Sequence, residues 1–575
     1  VLVVSIAVFV VGYISYGTLL SKKVFNLDDS RKTPAVEMED GIDFVPTDPK
    51  FLAGQHFSAI AAAGPITGPI IAGTLFGWLP TLLWILLGSI FVGGVHDMGS
   101  LVASIRNKAR SITDTMRLFV SKRVWILFNL FIFFTLIMVI VAFTDVTTSS
   151  FVNVVDLENG TTVGGGAIAT SSILYLLLPI VMGFLLRYTK LSLGVATAIF
   201  LPLVGVAIWV GPYIPFDLGA ILGIEDKASV QKIWNLIVLV YCFVAAIVPV
   251  WALLQPRGHL GGYFLYVSLG ISFIGILLGA FTGKFNISYP AFTKHLGDEG
   301  FWTPMFPMLF ITVACGACSG FHALVSSGTT SKQLAKESDA KPIGFGMMLV
   351  EGVVAVIALI TVMMLSKDDE IIRKSPNFIY ASGLGSFMET IGISKAFGIS
   401  FGLMAFTTFV YDTLDICTRL GRFILEELTG FKNTAGKIVS TLIVGGVPLL
   451  LMSITLTNPD GEQVAAWRLF WSVFGASNQL LAALALIGVT VWVRKTSKNP
   501  KAWYFTFWPA VFMFIMSVWS LIREIVVRIG KNPQGSEWVI PGIAAIYLIL
   551  AVWLAVETIL TIVSGKDGAD AVEAE

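Results

Sequence analysis

The sequence predicts an all-α protein, built as a bundle of membrane-spanning helices. Its 575 residues are 55% hydrophobic and only 13% charged, whereas a soluble protein carries roughly a quarter charged residues. A second observation is a series of about fifteen apolar stretches, each close to the 20 residues that a helix needs to cross a bilayer. The third is the segment from His56 to Gly73, which has the length of a span but contains two Gly-Pro pairs. Together these features predict a polytopic membrane protein with an interrupted helix.

Composition also argues against several other classes of protein. The formal net charge is +1, and no basic face interleaved with aromatic residues suggests nucleic-acid binding. The four cysteines all lie in apolar stretches, so no disulfide framework is expected. No G-x-x-x-x-G-K-[ST] motif is present, which argues against ATP hydrolysis. No motif indicates a cofactor or a metal. Residues 1–20 lack a basic start and a small-residue cleavage site, so they are predicted to be a span and not a cleaved signal.

Charges in the connecting loops predict how the spans are oriented. Loop 105–124 carries six Lys or Arg residues against one acid, whereas loop 149–167 contains no Lys or Arg. Because basic residues in short loops mark the cytoplasmic side, the count places the C-terminus inside. We expect residues 1–50 to form a first span and a cytoplasmic loop, 51–493 a transport core, and 494–575 a final pair of spans with a short acidic tail. The predicted spans lie near 1–20, 54–76, 79–104, 125–148, 168–187, 191–212, 232–254, 262–283, 304–327, 343–365, 394–418, 437–457, 466–493, 503–523 and 538–564.

Two of these spans are predicted to be interrupted. Gly64-Pro65 and Gly68-Pro69 remove amide donors inside an apolar run. Backbone left unsatisfied at that depth must be buried in protein or line a watery cavity, which predicts a substrate or ion site. In span 304–327 the stretch Ala314–Gly320 contains only small residues, which indicates either close helix packing or an unwound hinge. The two spans cross in opposite directions, as inverted repeats require, although they are seven spans apart and not five.

Five sequence blocks together resemble the carbon starvation protein A (CstA) family. They span most of residues 50–490. The resemblance implies a leucine-transporter-like core of the APC type, and a bacterial inner-membrane transporter linked to peptide uptake during starvation. Some members of the family import pyruvate with protons. The blocks are His56–Pro69, Gly93-Gly-Val-His-Asp-Met98, Ala314-Cys-Gly-Ala-Cys-Ser-Gly-Phe-His-Ala-Leu-Val-Ser-Ser-Gly-Thr-Thr330, Asp412-Thr-Leu-Asp-Ile-Cys-Thr-Arg-Leu-Gly-Arg422 and Phe474-Gly-Ala-Ser-Asn-Gln-Leu-Leu-Ala482.

Ionisable side chains inside the spans are candidates for ion coupling, because each is costly in lipid unless it is paired or hydrated. Asp97 could accept a proton, or be capped by Ser100 or a basic loop residue. Glu351 should face the bundle interior, either as a coupling group or paired with His322 or a lysine. Asp415 is predicted to pair with Arg419 one turn away, which leaves Asp412 without a local partner. His56 could titrate near neutral pH or simply satisfy a helix end. The coupling candidates are Asp97, Glu351, Asp412 and His56.

The substrate site is predicted at the two interruptions, where the amides at the start of a half-helix could hold a carboxylate. Asn478 and Gln479 could either bridge helices or contact a peptide backbone. Thr67, Thr312 and Ser319 could instead hold Na⁺, so the coupling ion stays open. Asp145 could line an outer entrance. The substrate-binding candidates are Gly64, Thr67, Gly68, Cys315, Gly316, Ser319, Gly320, His322, Asn478 and Gln479.

The predicted function is import of peptides across the bacterial inner membrane by a secondary active transporter, coupled to protons or sodium. The alternative is a proton-coupled symporter of pyruvate or another small monocarboxylate. A channel is less favoured because no filter signature is visible. A membrane enzyme is also less favoured, although Cys315 and Cys318 have the spacing of a redox pair or half a metal site.

Overall fold

The computed structural model describes residues 1–41, 44–61, 63–156, 162–293, 305–431, 433–454 and 465–564. The predicted acidic tail lies outside this range. The structure is almost entirely helical, with one two-stranded antiparallel hairpin, β1 (Val154–Asp156) and β2 (Thr162–Gly164), which pairs Val155 with Val163. The helices are α1 (Leu2–Gly12), α2 (Pro34–Glu37), α3 (Pro49–Ile60), α4 (Gly64–Phe76), α5 (Trp78–Gly88), α6 (Gly94–Arg106), α7 (Ile112–Phe119), α8 (Lys122–Val152), α9 (Gly166–Tyr188), α10 (Leu193–Val210), α11 (Leu218–Leu222), α12 (Lys227–Ile247), α13 (Leu254–Phe281), α14 (Met308–Thr312), α15 (Phe321–Gly328), α16 (Met347–Met363), α17 (Pro376–Thr390), α18 (Lys395–Thr429), α19 (Thr434–Ser453), α20 (Ala466–Thr496), α21 (Tyr504–Gly530) and α22 (Val539–Ser564).

The prediction of a polytopic helix bundle is confirmed. Among the described residues, 13 helices are long and apolar enough to cross a membrane, and α3 with α4 forms a further span that is bent by 48°. The 13 coincide with predicted stretches, and the two remaining stretches are the predicted interrupted spans. Several spans contain a π-helical turn, such as Ser89–Gly93, which joins α5 and α6 within the single span Trp78–Arg106. Such turns often accompany functional sites.

One buried helix was missed by the sequence analysis. Helix α17 lies between the predicted spans 343–365 and 394–418, in a stretch for which no span is predicted, yet it is buried along most of its length. Its 15 residues are too few to cross a bilayer, so a length criterion passes over it. It packs tightly against α18, since a Cβ atom added to Gly402 would lie 2.7 Å from Ala381 Cα. Small residues on both helices therefore allow this close approach.

The first break is confirmed, but it lies slightly before the predicted position. Helix α3 ends at Ile60 and α4 begins at Gly64, with Ala62 outside the described residues. Pro65 occupies the first turn of α4, where the missing N–H would have no helical partner in any case. Pro69 lies inside α4. The Gly-Pro pairs thus start the second half-helix and do not themselves form the gap.

The second break matches the predicted small-residue stretch. Helix α14 ends at Thr312 and α15 begins at Phe321, and the chain between them is not helical. The stretch is also closely packed, because a Cβ atom on Gly320 would lie 2.5 Å from the carbonyl oxygen of Asn478. Packing and unwinding, which the sequence posed as alternatives, therefore occur together.

The loops predicted to be cytoplasmic meet at one end of the bundle, which we call the basic face. Glu337 there accepts hydrogen bonds from Arg106 Nε at 2.9 Å and Arg106 Nη2 at 3.0 Å. Lys495 Nζ, in the last turn of α20, donates to the carbonyl oxygen of Phe119 at 3.2 Å. Lys23 is joined to the same end, since its carbonyl accepts a bond from Asn499. Loops that are distant in sequence thus lie on the same side, as the charge count predicted.

Candidate functional site

The two helix breaks lie directly against each other in the bundle interior. A Cβ atom added to Gly64 would lie 2.3 Å from Cys315 Sγ and 2.5 Å from Cys315 Cβ. One added to Gly68 would lie 2.6 Å from the carbonyl oxygen of Thr312. Such distances are far shorter than van der Waals contact, so only glycine fits at either position. The tertiary fold therefore brings together the two sets of predicted substrate-binding residues, more than 240 positions apart in the chain.

Backbone carbonyl groups released by the second break are satisfied by side chains from other helices. The carbonyl of Val313 accepts bonds from Trp84 Nε1 at 3.2 Å and from Gln479 Nε2 at 3.5 Å. The carbonyl of Gly316 accepts one from Ser89 Oγ at 3.0 Å. Unwound backbone is tolerated inside a membrane protein where other protein groups satisfy it. These contacts fix the shape of the break.

Asn478 holds the start of α15. Its Oδ1 accepts a bond from the amide of Phe321 at 3.1 Å, and its Nδ2 donates to Ser319 Oγ at 3.0 Å and to Cys315 Sγ at 3.5 Å. Cys315 and Cys318 are free and buried. The amides of Asn478 and Gln479 are thus engaged with the break itself. By contrast, Thr67 Oγ1 is buried and has no hydrogen-bond partner among the residues that the structure describes.

A chain of ionisable side chains runs beside the breaks. Asp97, on α6, accepts bonds from His96 Nδ1 at 2.7 Å through Oδ1 and from His322 Nδ1 at 2.8 Å through Oδ2. His322 Nε2 lies 3.3 Å from Glu351 Oε2 on α16. All four side chains are fully buried. The structure therefore pairs Asp97 with two imidazoles, and not with Ser100 or a loop residue, and it places Glu351 beside His322, as one of the sequence alternatives proposed.

This geometry restricts where a proton can reside. A carboxylate only accepts hydrogen bonds, so Asp97 requires a hydrogen on Nδ1 of His322. The other ring nitrogen then either carries a proton toward Glu351 or accepts one from it. Neither Glu351 oxygen forms a hydrogen bond of good geometry with the described residues. One proton can thus be shared or released between His322 Nε2 and Glu351, while Asp97 fixes the ring.

His56 is a further buried histidine, and its hydrogen-bond partner is Thr330 and not Asp97 or Glu351. Its Nδ1 lies 2.8 Å from Thr330 Oγ1, and its Nε2 is buried with no partner in the described part of the chain. Because His56 belongs to α3 and Thr330 follows α15, this contact links the two half-helices on the side of the basic face. The sequence alternative in which His56 simply satisfies a helix end therefore accounts for only one of its two nitrogens.

A second charged cluster surrounds Arg257, which falls between the predicted spans 232–254 and 262–283. The Gln-Pro-Arg-Gly run resembles a turn, but Pro256 instead lies in the first turn of α13, a position that tolerates proline. Arg257 is 1% exposed and donates to Asp412 Oδ1 from Nε at 2.8 Å. Its Nη1 lies 2.6 Å from Asp415 Oδ2. Tyr241 also contacts this cluster, through its bond to Asp415.

One expectation about this helix face is thereby corrected. Asp415 pairs with Arg257 and not with Arg419, whose Nη2 donates to the carbonyl oxygens of Ala245 at 3.0 Å and Val248 at 2.6 Å. Among the described residues, Asp412 has no partner on its own helix face, as expected, but distant elements supply two, Arg257 Nε and Ser58 Oγ at 3.0 Å. The sequence places Arg419 at helical spacing, but a distant helix supplies a better donor.

A cavity of about 610 Å³ connects this cluster to the basic face. It is bounded by α3, the start of α13, the segment that follows α15, and α18. Ser58 and Ala59, which lie at the end of α3 just before the first break, line its wall. Of the residues predicted from sequence to bind substrate or ion, only Asp412 lines it. Within the described part of the chain, no group of three His, Cys, Asp or Glu residues is arranged to hold a metal ion.

Asp145, predicted as an entrance residue, is a structural group. Its Oδ2 accepts a bond from the amide of Trp467 at 2.9 Å, in the first turn of α20. Its Oδ1 accepts bonds from Gln231 at 3.0 Å and Asn235 at 3.2 Å, both on α12. Asp145 therefore joins α8, α12 and α20.

We expect Asp145→Ala to lower the stability of the protein by about 1.5–3 kcal/mol, since buried donors would lose a charged acceptor. In the variant protein that still folds, the ratio of gradient-driven uptake to substrate exchange should equal that of the wild type. Thermal unfolding in detergent and uptake by proteoliposomes check both expectations. An unchanged melting temperature would contradict the structural role.

Comparison with known proteins supports an assignment to a family. The profile described as carbon starvation protein CstA matches residues 1–381 and 368–520. A peptide transporter CstA from Helicobacter pylori is 32% identical over 92% of this chain and 82% of its own length. The pyruvate/proton symporter BtsT from Escherichia coli is 29% identical over 93% of this chain and 82% of its own length.

Among solved structures, a manganese transporter from Eremococcus coleocola aligns with a TM-score of 0.53 at 12% identity, covering 91% of this chain and 99% of the transporter. This likeness concerns the fold alone, and it agrees with the predicted bundle of membrane-spanning helices. The match of the profile over most of the chain, together with the confirmed helix breaks, shows that the chain belongs to the carbon starvation protein CstA family.

Proposed function

We propose that this protein imports small peptides across the bacterial cytoplasmic membrane and that an inward proton gradient drives the import. The basic face is then the cytoplasmic side. Relatives named as peptide transporters support the substrate class. The single observation that supports proton coupling is the buried chain formed by Asp97, His322 and Glu351, which lies beside both helix breaks.

The breaks are the proposed substrate site. Gly64, Thr67 and Gly68 border the first break, and Cys315, Gly316, Ser319 and Gly320 lie within the second. The start of α4 presents the positive end of a helix dipole, which favours a substrate carboxylate. The unpartnered hydroxyl of Thr67 supplies a further donor. Asn478 and Gln479 support the site by fixing its backbone.

Coupling follows from the position of His322 in the turn directly after the second break. A proton that moves between His322 and Glu351 changes the charge on α15. That change alters the preferred packing of α15 against α6 and α16. His56 and Asp412 have a different proposed role, since each ties α3 to a neighbouring element through Thr330 or Ser58. Loading of the proton and movement of the half-helices are in this way linked.

Proton-coupled uptake of pyruvate or a similar monocarboxylate is the second candidate. The relative named as a pyruvate/proton symporter favours it. A helix N-terminus accepts either a peptide carboxylate or pyruvate, so this part of the site does not separate the two candidates.

Uptake into proteoliposomes tests the proposal. Labelled pyruvate and a panel of di- and tripeptides are supplied with an inward proton gradient, with an inward sodium gradient, or with neither. Accumulation of peptides with the proton gradient alone is the expected result. Accumulation of pyruvate but not of peptides would establish the second candidate, and accumulation only with sodium would refute proton coupling. Downhill flux that no gradient concentrates would indicate a channel.

A further inference from the structure

The cavity on the basic face ends in a buried cluster with unused hydrogen-bonding capacity. Arg257 binds Asp412 through Nε and Asp415 through Nη1, yet its Nη2 has no hydrogen-bond partner among the described residues. Asp415 uses Oδ2, while its Oδ1 is also buried without a partner. Both residues line the cavity. Buried donors and acceptors are rarely left unpaired in native proteins, and charged ones least of all.

The charge of the cluster favours a cationic group. Two aspartates face one arginine, so the pairings leave one negative charge in excess. Asp412 has both oxygens engaged, one by Arg257 and the other by Ser58. Asp415 Oδ1 is therefore the free acceptor. The lining also includes Lys332 and Arg419, which are more exposed than Arg257 and add positive charge.

From this arrangement we infer that the cavity contains a second substrate subsite, which binds compounds carrying both an ammonium group and a carboxylate. The ammonium group donates to Asp415 Oδ1, and the carboxylate accepts from Arg257 Nη2. A monocarboxylate without an amine would satisfy Arg257 and leave Asp415 unpaired. A volume of about 610 Å³ is within the range of small-molecule sites. Small peptides with a free amino terminus meet these requirements.

The subsite lies beside the end of α3, close to the first break, and its cavity extends toward the basic face. Ser58 lines the cavity and donates a hydrogen bond to Asp412. It lies three residues before Ala61, where the backbone is no longer helical. A peptide released from the breaks would thus reach Asp415 before it leaves the protein. The inference rests on the proposed function for the direction of transport, but binding at Asp415 can be measured without transport.

Isothermal titration calorimetry on the purified full chain in detergent tests the subsite. The ligands are alanyl-alanine, the same dipeptide with an acetylated amine, and pyruvate. We expect the wild type to bind the free dipeptide at least about tenfold more tightly than the acetylated one, since acetylation leaves a buried carboxylate unpaired. Asp415→Asn should remove that preference by weakening only the free dipeptide, and Asp415→Glu should retain part of it.

The matched control is Asp368→Asn, which makes the same chemical change at an exposed position outside the cavity. Its preference for the free amine should persist. An equal loss of affinity for all three ligands in Asp415→Asn would show a merely structural role and overturn the inference. The absence of any amine preference in the wild type would also overturn it.

The outcomes separate this inference from the proposed function. Peptide uptake without an amine preference in binding would refute the subsite and leave the transport proposal standing. An amine preference that depends on Asp415, in a protein that does not accumulate peptides, would support the subsite and refute the transport proposal.

Discussion

Glu351→Gln is expected to abolish proton-driven accumulation while leaving exchange of substrate across the membrane intact. The substitution preserves the shape of the side chain but removes the group that can accept or release a proton next to His322 Nε2. An inward gradient of one pH unit stores about 1.4 kcal/mol, which one-to-one coupling converts into roughly tenfold accumulation. In the variant, internal substrate should rise only to the external concentration.

Proteoliposomes loaded with unlabelled substrate provide the second measurement, because counterflow needs no net proton movement. Normal counterflow would show that the variant is folded and that its site is intact. The matched control is Glu389→Gln, which makes the same chemical change at an exposed position at the end of α17 and should accumulate normally. If Glu351→Gln still concentrates substrate tenfold, Glu351 does not carry the coupling proton.

Gly64→Ala is expected to have the largest effect on stability and on transport. The added Cβ would lie 2.3 Å from Cys315 Sγ and 2.5 Å from Cys315 Cβ. Rotation of the cysteine side chain removes only the first overlap. The breaks must therefore separate, and overpacking of this kind costs about 1–3 kcal/mol or more. Thermal unfolding in detergent and initial uptake rates should both fall.

The partner substitution makes this prediction specific. Cys315→Gly removes both clashing atoms, and the next atom of that residue, Cα, would lie at 3.8 Å from the new Cβ. The double variant should regain much of the stability lost in Gly64→Ala. Cys315→Ser should give no rescue, because it keeps Cβ. Gly446→Ala, on α19 where an added Cβ meets no atom within 4 Å, is the matched control. Equal losses in Gly446→Ala and Gly64→Ala would contradict the packing argument.

Periodic and compositional features were reliable guides to the fold. A helix that crosses lipid must be long and apolar, and short cytoplasmic loops carry an excess of Lys and Arg. Both features are local properties of the chain. The positions of both breaks could be predicted because glycine, proline and runs of small residues mark them in the sequence. Helix α17 escaped detection because it is buried by protein and not by lipid, and no membrane-length rule applies to it.

Pairing of charged residues could not be predicted in the same way. Helical spacing suggested Asp415 with Arg419, yet Asp415 pairs with Arg257, which lies 158 positions away in the chain. A buried charge is costly unless it is paired, because it has lost its contact with water. The packing of the helices determines which partner lies within reach. Asp145 shows the same limit, since its three hydrogen-bond donors lie on α12 and α20.

The sequence by itself determined that this protein is a polytopic helical bundle of the CstA family, where its two spans break, and which side chains are costly enough in lipid to need an explanation. Only the tertiary structure decided how those side chains combine. It joined Asp97, His322 and Glu351 into one chain, set Gly64 against Cys315, and placed Arg257 between two aspartates at the end of a cavity. The reason is physical. Hydrophobicity acts on each segment through the solvent around it, whereas a hydrogen bond or an ion pair exists only between atoms that folding has brought within a few ångströms.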